Sequence, residues 1–156
     1  MPDSRLLIAS LGHRFRSDDG VGPHILQLLW RRIGARADWY ENTGDITGLL
    51  EVWQNRTVVL IDALHAPGRA TGSVCRLDGL QNQPSLAAVS THGIDLPQAL
   101  ELGALLNALP RSLAIYGICG ENFSPGLSLS AAVQTAAQQI VAEIAARVIS
   151  GCQADV

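Results

Sequence analysis

Leu6-Leu-Ile-Ala-Ser-Leu-Gly-His-Arg-Phe-Arg-Ser-Asp-Asp-Gly-Val-Gly22 holds a strand, a polar loop and the start of a helix within seventeen residues. The run Leu6–Leu11 is nearly all apolar and of strand length, the pattern of a strand covered on both faces. Gly12 closes it. A short polar loop then carries two adjacent carboxylates, Asp18 and Asp19. Helical spacing follows at once. Pro23 suits a first helical turn, Ile25, Leu28, Leu29 and Ile33 share one face, and Gly34 ends the pattern. A strand that passes through a short loop into a helix is the opening unit of a parallel α/β sheet. Such sheets gather ligands at the carboxyl ends of their strands. The loop therefore sets two acids where this kind of fold does its chemistry.

Working outward, Asp38–Asn42 reads as a weak second strand, and Asp45 as the cap of a short helix with Ile46, Leu49, Leu50 and Trp53 on one face. Thr57–Ile61 is the strongest strand, β-branched and apolar, with Asp62 directly after it. Ser73–Leu77 follows the Gly/Pro-rich stretch Ala66–Gly72. Asp95 caps a predicted helix running to about Asn107, before Pro110, and Ser112–Ile118 is a fifth strand. Ser130 is the expected cap of the last helix, whose apolar face runs from Val133 to Val148 and stops at Gly151. Strands alternating with helices predict one domain over residues 1–156. It is an α/β, three-layer αβα sandwich with a mostly parallel, five-stranded twisted sheet. The link from the Thr57 strand to the Ser73 strand is too short for a crossover, so one of the two is expected to run antiparallel.

The composition narrows the function. The 156 residues are 47 % hydrophobic and 16 % charged, which describes a folded globular chain. The net charge of -3 gives no basic footprint for nucleic acid. The opening apolar run is shorter than a secretory core and no run approaches a membrane span, so no membrane partner is expected. Cys75, Cys119 and Cys152 are odd in number and widely spaced, and read as reduced thiols of a cytoplasmic protein, with Cys75 and Cys119 as small core residues.

Three dispersed residues carry the chemistry. Asp62 ends the central strand, His92 lies in the loop Val89-Ser-Thr-His-Gly-Ile-Asp95, and Asp19 lies in the first loop. Each has a plain alternative: Asp18 and Asp19 as helix caps, Asp62 as a hydrogen-bonded buried acid, His92 as a solvated loop side chain. Taken together, Asp19, Asp62 and His92 form a ligand set suited to a divalent ion such as nickel, zinc or manganese. Their spacing matches no local metal motif. His13 and His65 are placed to border the same cleft, and His24 is expected to be solvated. Gly12, Gly20 and Gly22 do not match the dinucleotide fingerprint, and no Gly-x-Ser-x-Gly elbow is present. No organic cofactor is expected.

With these residues in hand, the chain resembles the hydrogenase maturation endopeptidases. Leu11-Gly12-x-x-x-x-Ser-Asp18-Asp19-Gly20-Val21-Gly22 is similar to the family's Gly-Asn-x-x-x-x-Asp-[Asp/Glu]-Gly-x-Gly block. Leu60-Ile61-Asp62-Ala63 resembles its central strand, Ser90-Thr91-His92-Gly93 its Ser/Thr-x-His stretch, and Tyr116–Glu121 with Gly126–Ser130 its Gly-Ile-x-Pro-Glu … Gly-Leu-Ser block. The resemblance implies an aspartyl-type endopeptidase that removes a C-terminal peptide from the nickel-loaded large-subunit precursor of a [NiFe] hydrogenase. The nickel would be carried by the substrate. Asp19 and Asp62 would be the catalytic acids, Asp19, Asp62 and His92 the metal contacts, and Asp18, Gly44 and Asp45 substrate-binding residues. Two positions depart from the pattern: His13 stands for Asn, and Gly120-Glu121 for Pro-Glu. A non-proteolytic metal-binding chaperone on the same cleft is the alternative. A phospho-receiver domain shares the acidic layout, but its chemistry needs a lysine and the chain has none.

Overall fold

The computed structural model describes residues 5–81, 90–91 and 94–151. Strand β1 (Leu7–Leu11) leads through a single 3-10 turn at Ser17–Gly20 into α1 (Val21–Ile33). There follow β2 (Asp38–Asn42), α2 (Ile46–Trp53), β3 (Thr57–His65) and β4 (Val74–Asp78). The two-residue β5 (Ser90–Thr91), α3 (Leu96–Leu105), β6 (Ser112–Cys119) and α4 (Ala131–Ile149) complete the order.

The main sheet has the order β2-β1-β3-β6-β4, with β5 pairing off this path against β3. β1 runs parallel to β2 and β3, and β3 parallel to β6. β4 runs antiparallel, but its partner is β6 rather than β3, and the short β5 pairs antiparallel with the end of β3. Sequence distance says that no crossover fits between β3 and β4. It does not say which edge β4 joins.

Alternation along β1 explains the three layers. Leu6 and Ile8 face α1 and α4, where Ile25, Leu29, Ile140 and Ile144 are buried. Leu7, Ala9 and Leu11 face α2 and α3, with Leu49, Trp53 and Leu100. Both faces of the strand are thus sealed, which is why its sequence is almost unbroken in apolar character. Trp53 is fully buried and its indole N–H donates to the Ala108 carbonyl at 2.8 Å, so its one polar atom is satisfied.

Three local expectations change. β3 continues past Ile61 to His65, because its ladder with β6 carries on through Asp62↔Gly117 and Leu64↔Cys119. Asp62 therefore lies within the strand, one residue beyond the last pairing of β1 with β3 at Ser10↔Ile61. Asp45 takes the N-cap place of α2 without a side-chain cap bond. Asn42 organises that turn instead: its Oδ1 accepts from the Gly44 and Asp45 amides, each at 2.8 Å, and its Nδ2 donates to the Asp45 carbonyl. Cys119 is buried as expected. Cys75 is only half-buried on the outer strand β4, where Arg69 donates to its Sγ at 2.8 Å. Cys152 lies outside the described residues. Asp95 does cap α3, accepting from the Gln98 amide at 3.2 Å.

Candidate active site

The strand order sets the place of the site. From β1 the chain moves outward to β2, then crosses back over β1 to β3, so β1 and β3 form a switch point. Crevices at the carboxyl ends of such strand pairs are where α/β sheets bind ligands. Two glycines let the chain close tightly around this one. Gly12 adopts φ +110, and a Cβ there would meet the Asp19 carbonyl oxygen at 2.2 Å. A Cβ on Gly22 would meet the carbonyl oxygens of Leu11 at 2.8 Å and Ile61 at 2.9 Å. The first turn of α1 therefore presses directly on the ends of β1 and β3.

The two acids of the loop are handled differently. Asp18 is fully buried. Its Oδ1 accepts from the Ser130 amide at 2.7 Å, and its Oδ2 from the amides of Glu121 at 2.9 Å and Asn122 at 3.1 Å and from the Ser130 hydroxyl at 2.7 Å. Burial works to raise its pKa, but the donors at Ser130, Glu121 and Asn122 outweigh it and hold the carboxyl below its usual range. Both oxygens of Asp18, expected to bind substrate, accept bonds from its own chain, which gives the residue a structural place. It ties the first loop to the segment after β6. The Ser17 amide donating to Gly126 and the Gly126 amide donating to Phe15 add to that tie.

Asp19 is 2 % exposed and Asp62 1 %. Asp19 accepts one bond at Oδ2, from the His13 amide at 2.8 Å. Its Oδ1 and both oxygens of Asp62 are buried, and no described residue donates to them. Burial first, and the Asp19 charge second, push the Asp62 carboxyl well above its ordinary range; the neighbouring Ala63 amide, which falls short of hydrogen-bond geometry, offsets a part. The two carboxylates thus share one crevice and compete over charge. Among the described residues no group of three His, Cys, Asp or Glu forms a metal site. His92 lies outside the described residues. The two residues before it, Ser90 and Thr91, pair with His65 and Leu64 at the end of β3.

The departures from the family pattern have local explanations. The contact at position 13 is made by the backbone N–H, so His in place of Asn leaves it available, and the His13 side chain is exposed. At Gly120 a Cβ would meet the Cβ of Asp18 at 2.8 Å, so the buried acid packs against the bare glycine backbone. His65 is exposed and sets its ring edge-on to Phe123, with centroids 5.7 Å apart. His24 is half-buried rather than solvated, and burial, then the Arg31 charge, lower its pKa. Gly44 and Asp45 stand exposed at the carboxyl end of β2. That is two strands from β3, on the order of 10 Å away. Ser10, which no motif singles out, is fully buried beside Gly22, and no described residue partners its hydroxyl.

Comparison with known proteins fits this geometry. The family model HycI, hydrogenase maturation protease, matches residues 43–147. The [NiFe] hydrogenase maturation protease HybD from Thermococcus kodakarensis is 26 % identical, covers 92 % of this chain and 98 % of its own, and superposes with a TM-score of 0.76. The hydrogenase maturating endopeptidase HybD from E. coli is 20 % identical over 94 % of each chain, with a TM-score of 0.78. The hydrogenase 2 maturation peptidase of a Thaumarchaeota archaeon is 26 % identical over 90 % of this chain and 95 % of its own, at a TM-score of 0.64. No curated protein matches significantly. The sheet and its loops define an α/β domain with an acidic crevice at the switch point. The chain belongs to the hydrogenase maturation protease family, and is accordingly a hydrolase.

Proposed function

We propose that the protein is a cytoplasmic endopeptidase that removes a C-terminal segment from the large-subunit precursor of a [NiFe] hydrogenase once nickel has been delivered to it. Asp19, Asp62 and His92 contact that nickel, which belongs to the substrate. The observation that carries this reading is the set of three buried carboxylate oxygens with no described donor, Asp19 Oδ1 and both oxygens of Asp62. A buried carboxylate without donors is costly unless a proton or a cation answers it. Hard and borderline divalent ions accept carboxylate and imidazole ligands, so the donor set suits the ion.

The same pair supplies the proton chemistry. Asp62, held protonated more readily than an ordinary carboxyl beside the charge of Asp19, exchanges a proton with the attacking water or the departing amine. No helix among the described residues is long and apolar enough to cross a membrane. The test compares cleavage of purified precursor with and without nickel, under a chelator too weak to strip the loaded form. Only the loaded precursor is shortened. Equal cleavage of both removes the nickel checkpoint, and cleavage of neither favours the metal-binding chaperone.

A further inference from the structure

A second cleft lies beside the acidic crevice, between α1 and the outer edge of β2, with a volume of about 570 Å³. That is the size of a small-ligand or short-peptide pocket. Its walls are apolar and aromatic: Leu26 and Trp30 from α1, Trp39 and Tyr40 from β2. Trp39 is fixed, its indole N–H donating to the Gly34 carbonyl at 3.0 Å. Trp30 is 59 % exposed, a large apolar surface left to solvent. β2 is the end of the sheet, and no described strand pairs with its outer side. Free strand edges accept extended peptides.

The two ends of the cleft differ in charge. At the end near the acidic loop, Arg14 is closed off by Glu41 through Nε–Oε1 at 2.8 Å and Nη2–Oε2 at 2.5 Å. At the other end stands Arg31, exposed, with no described carboxylate paired to it, and exposed Arg32 next in the chain. A chain of net charge -3 thus leaves a cation at the far end of an aromatic trough. From Pro23 to Arg31 the helix rises about 12 Å, the length of roughly four extended residues.

We propose that this cleft holds the last residues of the departing tail, an extended apolar segment whose free C-terminal carboxylate pairs with Arg31. The inference rests on the protease reading above, because a substrate trimmed at its C-terminus carries an α-carboxylate on the side that leaves. Apolar side chains of the tail lie on Leu26, Trp30 and Trp39. The guanidinium meets the carboxylate in the paired geometry that arginine favours. Product release then frees the cleft for the next precursor.

The probes are a synthetic acetyl-Leu-Val-Leu-Val-Ala peptide as free acid and as C-terminal amide. Each is titrated into the full chain by calorimetry and tryptophan fluorescence. The free acid binds about fivefold or more tightly than the amide. Arg31→Ala abolishes that preference and leaves amide binding unchanged, whereas Trp30→Ala weakens both forms. Both side chains are exposed, so both variants melt as wild type. In processing assays on the nickel-loaded precursor, Arg31→Ala raises KM by about fivefold and retains kcat. Equal binding of acid and amide, a preference that survives Arg31→Ala, or an unchanged KM overturns the assignment while cleavage by wild type upholds the protease reading. A wild type that leaves the loaded precursor uncut removes both.

Discussion

Asp18 and Asp19 are adjacent in the chain, identical in chemistry and both buried, yet they belong to opposite kinds of environment. Asp18 sits in a nest of amide and hydroxyl donors from Glu121, Asn122 and Ser130. Asp19 receives one backbone donor and shares its crevice with Asp62, to which no described residue donates. Burial alone therefore does not mark a working acid. The supply of donors does. A saturated carboxylate is a finished joint, while an orphaned pair is complete only when a proton, a cation or a substrate arrives.

The sharpest way to break this contrast is Asp62→Asn. Processing falls roughly 10³-fold, the middle of the range for a lost acid or base. Stability in urea holds or rises, because a neutral amide replaces a carboxyl whose ionisation burial and the Asp19 charge both oppose. A loss of stability would make Asp62 a structural acid like Asp18. His92→Ala comes next, with processing down about 10²-fold and an unchanged melting curve. A folded variant that processes as wild type would leave His92 as a solvated loop residue.

On the other side of the contrast, Asp18→Ala loses about 3 kcal/mol, since bonds to a charged acceptor are worth more than neutral ones. At this chain length that lowers Tm by roughly 6–12 °C. Molecules that remain folded at low temperature keep the acidic pair and still process precursor. The pH dependence separates the two acids further. Asp18 titrates below the ordinary carboxylate range, so its contribution is full above that range and is lost as pH falls toward its own value. Asp62 titrates above the range, so the folded state holds a proton that the unfolded chain releases. Stability then declines as pH rises from the ordinary range to the Asp62 value. Melts between about pH 3 and pH 8 should show Asp18→Ala flattening the acid limb and Asp62→Asn the upper one. The reverse assignment would refute both environments.

Much of this was legible in the chain. The apolar run of β1, its glycine stop and the immediate helix identify a sheet and its functional end, and Asp19 and Asp62 follow from that layout. What local sequence does not contain is the donor supply. Nothing near position 18 distinguishes it from position 19, because the amides that saturate Asp18 come from a segment about a hundred residues later. The extent of β3 was hidden for a related reason: Asp62 breaks the apolar pattern, but pairing with β6 carries the strand on to His65. The aromatic cleft at β2 needs α1 folded over the sheet edge, and residues from three parts of the chain meet there.

The smallest expected effect tests the joint most finely. Ser130 has the place of an N-cap residue on α4, and its type is favoured there. In the structure its hydroxyl makes no cap bond to the helix. It donates instead to Asp18 Oδ2 at 2.7 Å. Ser130→Ala removes that donor and leaves the Ser130 amide on Oδ1, so the loss is about 1 kcal/mol, or roughly 2–4 °C in Tm. Loss of a cap would have a similar size, so the size alone decides nothing. Ser130→Asp does decide. Aspartate is as good a cap as serine, and if capping were the role its substitution would be nearly neutral. If the hydroxyl serves Asp18, a second carboxylate set against the first repels it, and Ser130→Asp is less stable than Ser130→Ala. A double-mutant cycle separates the two roles independently: with Asp18→Ala already present, Ser130→Ala should cost almost nothing, because the acceptor it served is gone. An undiminished cost in that background would return Ser130 to the helix and leave Asp18 with backbone donors alone.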